Sequence, residues 1–196
     1  MIRAGITGNI GSGKSLICTV FQKLGVGVFQ ADLAAHELYH ESEVRKTIEY
    51  ELGAGFYDVQ GHLIRKKLSD RIFSDVKALK FIETLIHPIV RQRFNDWCQS
   101  HQNDPYVLYE AAILFETGNY KLFDKLIYVA ADEQIRLKRV ADRDNLPVEE
   151  IRKRMNKQWH DDQKIPLADF VILNSGESMI IPQVIDIHQK LISLSN

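Results

Sequence analysis

Cysteine is scarce in this 196-residue chain: Cys18 and Cys98 are the only two, and they lie far apart. That spacing offers no disulfide framework and no paired-thiolate metal motif. Both fall in helix-like stretches, where a cysteine is expected to act as a small buried hydrophobe in a reducing compartment. Long apolar runs are also missing: none reaches the roughly 18 residues that a membrane-spanning helix requires. The opening Met1-Ile2-Arg3-Ala4-Gly5 does not read as a signal peptide and is taken as the entry to a strand, so a cytoplasmic protein is expected. Surplus charge of either sign is absent. Lys and Arg number 25 against 26 Asp and Glu, for a net charge of -1 and a pI near 6.7, which argues against a nucleic-acid partner. There are no repeats, low-complexity tracts or clear linkers. What remains, 45% hydrophobic and 26% charged residues, is the composition of one globular domain with a real core.

Against that background, residues 8 to 15 stand out as Gly8-Asn9-Ile10-Gly11-Ser12-Gly13-Lys14-Ser15. This matches G-x-x-x-x-G-K-[ST], the P-loop. Its glycines let backbone N–H groups converge on a phosphate where a Cβ would crowd the turn. Lys14 supplies a charge for the β- and γ-phosphates, and the Ser15 hydroxyl is placed for Mg²⁺. The flanks agree with the motif. Ile2 to Thr7 is a short apolar run, and Ile17, Val20, Phe21 and Leu24 then recur at helical spacing before Gly25. A strand, a Gly-rich loop and a helix N-terminus follow in order, an arrangement built for anions.

Further short apolar runs alternate with helical patterns. Val26–Phe29, Tyr106–Tyr109, Lys125–Val129 and Phe170–Leu173 read as strands two to five. Strands separated by helices predict a parallel sheet covered on both faces, with ligands at the strand carboxyl ends. The P-loop, Asp32, Glu110 and Asn174 all fall at such ends. A long, mostly helical insertion occupies about 33–103. Its apolar stripe runs from Leu79 through Ile82, Leu85, Ile86, Ile89, Val90 and Phe94 to Trp97, and Pro88 is expected to kink or divide it. The stretch 134–164 carries Arg136, Lys138, Arg139, Arg143, Arg152, Lys153, Arg154 and Lys157. Pro147 is placed to open a helix there. A lid over phosphates and a solvated charged face both fit this pattern, since acidic residues are interleaved. Pro182–Leu194 reads as a closing amphipathic helix. The core is then about 1–32, 104–133 and 165–196.

A competing motif, His36-Glu37-Leu38-Tyr39-His40, matches the zinc-protease signature H-E-x-x-H. It lacks a nearby third ligand: Glu43 and Lys46 stand where the extended motif needs Gly and His. It also lies just after Asp32, beside the phosphate site, so a surface or packing role is expected for both histidines. A GTPase reading fails as well, because Asn156-Lys157-Gln158-Trp159 lacks the Asp of N-K-x-D and Asp58-Val59-Gln60-Gly61 follows no buried strand. The chain's size, insertion and basic stretch suit a small-molecule kinase.

Several strings then resemble the dephospho-coenzyme A kinase family. They are Gly5-Ile6-Thr7-Gly8 with Ile10 to Ser15, Ala31-Asp32 with Ala35-His36-Glu37-Leu38, Ile86-His87-Pro88, Leu114-Phe115-Glu116, Arg139 with Arg143-Asp144, Gln158, and Ala168-Asp169 leading to Asn174. They follow the family's order over almost the whole chain and account for the H-E-x-x-H match. The chain departs from the commonest pattern at Asn9, Leu16, Gln30 and Ala112, where Gly, Thr, Asp and Pro are usual.

The resemblance implies a three-layer P-loop kinase fold with a five-stranded parallel sheet, a helical substrate-binding insertion and an Arg-rich lid. It implies ATP-dependent phosphorylation of the ribose 3′-hydroxyl of 3′-dephospho-coenzyme A, with ATP and Mg²⁺ as cofactors. Another small-metabolite kinase and an ATP-binding regulator stay open as alternatives. Lys14, Asp32, Arg139 and Arg143 are the candidate catalytic residues. Asp32 is either the general base or a magnesium or helix-cap residue, and the two arginines sit four apart on one helix face. Gly8, Asn9, Ile10, Gly11, Ser12, Gly13, Lys14, Ser15, Leu16, Asn174 and Gly176 are expected at ATP. Asp32, His87, Arg91 and Glu116 are expected at the acceptor, and Ser15 at magnesium, with Glu110 acting through water. The expected partner is this small molecule, with no nucleic acid or membrane, and the expected form a monomer or small homo-oligomer.

Overall fold

Short, mostly apolar runs make strands that can be buried on both faces, the mark of a parallel sheet. The computed structural model describes residues 1–195. Strands β1 (Ile2–Thr7), β2 (Gly27–Gln30), β3 (Tyr106–Glu110), β4 (Lys125–Ala130) and β5 (Phe170–Leu173) form one parallel sheet in the order β2-β3-β1-β4-β5. The strand leading into the Gly-rich loop is thus central, with the chain wound outward on either side of it. Register places the strand ends together: Ile6 of β1 lies beside Glu110 of β3, Thr7 beside Tyr128 of β4, and Ala130 beside Leu173.

The period of two divides the core. Ile127 and Val129 join Ala4, Ile6, Leu108 and Ile172 on one face, beneath α1 (Lys14–Lys23) and α9 (Ile180–Ser195). These helices contribute Ile17, Cys18 and Phe21, and Val184, Ile187 and Leu191. Leu126, Tyr128 and Ala130 point the other way, against Phe115, Tyr120 and Phe123. Both cysteines are buried unpaired thiols, and burial pushes Cys18 up to about 12.

Two compact units are present: Met1–Gln30 with the chain from Cys98 onward, and Ala31–Trp97. The second unit holds α2 (Ala31–Leu38), α3 (Ser42–Leu52), α4 (Arg65–Ser74) and most of α5 (Val76–Gln99). Pro88 does not divide α5, which runs as one helix of 24 residues. Ile82 and Ile86 before the proline, and Val90 and Phe94 after it, are all buried. Burial on both sides outweighs the one backbone bond that proline removes. Leu79 falls outside this stripe and is exposed. Helix α2 ends at Leu38, so His36 is helical and His40 lies in the following turn. No cluster of three or more His, Cys, Asp or Glu suited to a metal occurs among the described residues.

In the first unit, β4 is followed by α6 (Glu133–Asp144), α7 (Val148–Met155) and the short α8 (Asp161–Lys164). Pro147 caps α7 rather than opening it, with ψ at 141°, outside the helical range. Val140, Ile151 and Met155 pack the helix pair together, with Ile10 of the Gly-rich loop against them. No helix among the described residues is long and apolar enough to cross a membrane.

On the α9 side, Tyr106 Oη and His188 Nδ1 lie 2.7 Å apart. Burial lowers His188 below its usual 6.5, so the folded state resists a proton that the unfolded chain accepts. The stability this group contributes is complete above pH 6.5 and falls as pH drops below it. Thermal melts from pH 7.5 to 5 are expected to show a falling midpoint. His188→Gln is expected to flatten part of that slope; an unchanged slope would remove His188 from the account.

Candidate active site

The loop between β1 and α1 turns on two left-handed glycines, Gly11 at φ 80° and Gly13 at φ 87°. A Cβ on Gly13 would run into the Asn174 amide, so the position excludes side chains twice over. Within the turn, Ser12 N–H donates to the Asn9 carbonyl at 2.9 Å. Ile10 N–H donates to Gln158 Oε1 at 2.8 Å. Two of the loop's amides are therefore spent holding its shape. The first turn of α1 follows directly at Lys14, and its leading N–H groups carry the helix's positive end.

Residues that arrive much later in the chain tie down the loop's carbonyls. Asn174, buried one residue beyond β5, donates from Nδ2 to the Ser12 carbonyl at 2.7 Å. Its own N–H bonds the Ala130 carbonyl at 2.8 Å, which extends the sheet register. Arg139 of α6 reaches the Gly11 carbonyl at 3.4 Å and Asn174 Oδ1 at 3.3 Å. Lys14 donates to Glu110, a buried carboxylate that register places beside the end of β1. A lysine held by one carboxylate remains a mobile point charge that a phosphate can share or capture.

The Ser15 side chain is exposed on the first turn of α1, while Leu16 faces solvent at 56% exposure. Magnesium in phosphoryl-transfer sites takes few protein ligands and keeps several waters. One hydroxyl, with the Glu110 carboxylate at the neighbouring strand end, fits that demand.

The structure thus gathers Gly8 through Ser15, Glu110, Arg139 and Asn174 at the carboxyl ends of the strands. Other expected residues have different partners. Arg143 is exposed and makes two bonds to Asp144, at 2.7 and 3.0 Å. Glu116 accepts from Trp159 N–H at 2.9 Å and from the fully buried Lys164 at 2.6 Å. Gly176 is exposed at φ 94°, two residues past Asn174. Asp32 is exposed and lies in the first turn of α2, not on the end of β2, which stops at Gln30. His87 is half-buried and Arg91 exposed, one helical turn apart on α5. Asp32, His87 and Arg91 all belong to the helical unit.

Sequence reading missed Asp161, Lys164 and the side-chain role of Asn9. Only Gln158 carried a signal, through the family pattern. Lys164 sits in a polar stretch whose sequence resembles a solvated turn.

A family model described as dephospho-CoA kinase matches residues 2–179. A dephospho-CoA kinase of Chlorobaculum tepidum is 37% identical over 198 residues, covering 97% of this chain and 95% of its own. One of Aquifex aeolicus is 35% identical over 177 residues, covering 90% of each chain. Among solved structures, TT1252 from Thermus thermophilus superposes with a TM-score of 0.84 at 30% identity, covering 98% of this chain and 97% of that one. With its five-stranded parallel sheet and intact P-loop, the chain belongs to the dephospho-CoA kinase family.

Proposed function

We propose that this protein transfers the γ-phosphoryl group of ATP to the ribose 3′-hydroxyl of 3′-dephospho-CoA, giving CoA and ADP, the last step of coenzyme A synthesis. The family match over residues 2–179 carries this reading, and the braced Gly8–Ser15 loop supports it. ATP's phosphates lie against that loop and the N-terminus of α1. Lys14 exchanges part of its bond to Glu110 for the β- and γ-oxygens, one anion replacing another. Ser15 holds Mg²⁺, with Glu110 acting through water. The ion supplies neutralisation of the transferring group when bound. Asn174 braces the loop with its side chain, and Gly176 offers backbone beside the adenine.

Asp32 is proposed as the general base. It takes the proton of the 3′-hydroxyl as the new O–P bond forms and the bond to the ADP leaving oxygen breaks. An exposed carboxylate on the first turn of a helix can accept a hydrogen bond from the attacking hydroxyl and suits that role. Arg139 already reaches the loop. Arg143 joins by exchanging Asp144 for phosphate; within the stretch 134–164, residues 158–164 stay seated on the loop and only the part before them closes as a lid. The helical insertion carries the acceptor, with His87 and Arg91 on its α5 face. Glu116 is assigned to bracing Lys164 rather than to substrate. The enzyme is proposed to work in the cytoplasm as a monomer or small homo-oligomer.

The test is ADP release from Mg-ATP with 3′-dephospho-CoA, AMP, adenosine or no acceptor. Release that depends on dephospho-CoA, with CoA as product, is expected. Release only with another acceptor would move the substrate assignment. Lys14→Ala is expected to lower kcat/KM on the order of 10²–10³-fold, the cost of one lost transition-state donor. Asp32→Asn is expected to lower turnover roughly 10²–10⁴-fold while ATP affinity holds. If instead Mg-ATP affinity collapses and saturated turnover survives, Asp32 belongs to the metal shell.

A further inference from the structure

An ammonium group with no solvent exposure is costly unless opposite charge and hydrogen bonds surround it. Lys164 is such a group, at 0% exposure. It donates to Glu116 Oε1 at 2.6 Å and to Asn9 Oδ1 at 2.6 Å, and it lies about 6 Å from the ring centres of Phe115 and Tyr128. One end of this buried charge is therefore fastened to the phosphate-binding loop.

The other contacts of Asn9 make the fastening directional. Its Nδ2 donates to Asp161 Oδ1 at 2.6 Å and to the Trp159 carbonyl at 3.2 Å. An ammonium can only donate, and a carboxylate and a carbonyl can only accept. The orientation of the Asn9 amide is therefore fixed by its three partners, with no alternative flip. Asp161 is itself held by the Tyr128 hydroxyl at 2.9 Å and faces Arg136 at 3.7 Å. Arg136 is anchored in turn on the Ala131 carbonyl at 2.9 Å. Gln158 completes the link, accepting from Ile10 N–H and donating to the Ala112 carbonyl at 3.4 Å. The segment 158–164, where the chain returns from α7, is stitched to the loop at residues 9 and 10. It is also stitched to the chain after β3, at Ala112 and Glu116, and to β4 at Tyr128.

We propose that Lys164 and Asn9 are positioning residues for ATP: Lys164 fixes the Asn9 side chain, which holds the Asn9–Ser12 turn at the curvature that a polyphosphate needs. Neither side chain has to touch the nucleotide. The Asn9 carbonyl closes that turn on Ser12 N–H, so movement of Asn9 displaces the amides that follow. The buried pair Lys164–Glu116 gives the returning segment a rigid seat, and Asn9 transmits that rigidity to the loop. This rests on the reading of the loop as the ATP-phosphate cradle.

The experiment measures Mg-ATP binding by calorimetry, KM for each substrate and thermal midpoint, for wild type, Asn9→Ala, Lys164→Met and the double variant. Asn9→Ala cuts the link while leaving Lys164 on Glu116, so it is the variant expected to fold normally. Its ATP dissociation constant and ATP KM are expected to rise about tenfold, the effect of one lost charge-assisted hydrogen bond. KM for dephospho-CoA is expected to stay within about twofold of wild type. The double variant is expected to bind ATP no more weakly than the worse single one, because both changes break one chain of contacts. If wild type binds ATP and Asn9→Ala binds it equally well, the coupling is refuted while the cradle stands. Effects that multiply in the double variant, or that shift both KM values alike, would also refute it. Wild type that binds no ATP would overturn the cradle and this inference together.

Discussion

A turn of backbone that aims its amide hydrogens at an anion must be held in that shape by other groups, and Arg139, Asn174 and Gln158 hold this one at the carboxyl ends of the strands. Left-handed glycines permit the turn but do not fix it. The loop is fixed because two of its carbonyls and one of its amides are held by later residues: Gly11 by Arg139, Ser12 by Asn174, and Ile10 by Gln158. Each of these partners comes from a different later segment, so the loop's shape is set by the complete fold and not by its own eight residues. Electrostatic stabilisation of phosphoryl transfer depends on such prior arrangement, since donors already in place do not reorganise during the reaction.

The sheet register supplies the precision. Pairing Ile6 with Glu110 puts a carboxylate opposite Lys14, and the Asn174–Ala130 bond continues the β4–β5 ladder to the residue that braces Ser12. A one-residue slip in either pairing would turn these side chains to the opposite face. The buried interiors of β1, β3 and β4 resist that slip. Stability of the core and placement of the charges are in this way one constraint.

Much of this was legible in the sequence, and the reasons differ by element. The strands were visible because they read as short, mostly apolar runs, with the interiors of β1, β3 and β4 buried. The bounds of β1 and β5 match the reading, and β2, β3 and β4 differ by one residue at their ends. The loop was visible because its chemistry admits few residue types. The closing helix was visible from its period, with Val184, Ile187 and Leu191 on the buried side. Pro88 misled because local backbone preference was outweighed by the stripe packed on either side of it. The resemblance of a helix-facing pair in Arg139 and Arg143 was correct in spacing, yet Arg143 found Asp144 as a nearer partner. The contacts that join Lys164 to Asn9 and Glu116 left no trace, because polar residues that meet from distant parts of the chain show no periodicity. A lysine seated on Glu116 and Asn9 looks, in sequence, like any lysine in a surface turn.

On this reading the braced turn at residues 8 to 15 receives the phosphates of ATP. Amide hydrogen exchange, read by mass spectrometry with and without Mg-ATP, tests it most directly. Exchange is expected to slow in peptides covering the loop and the first turn of α1, with little change in the last turns of α9. Saturating ATP that protects some other surface and leaves the loop's exchange unaltered would contradict it.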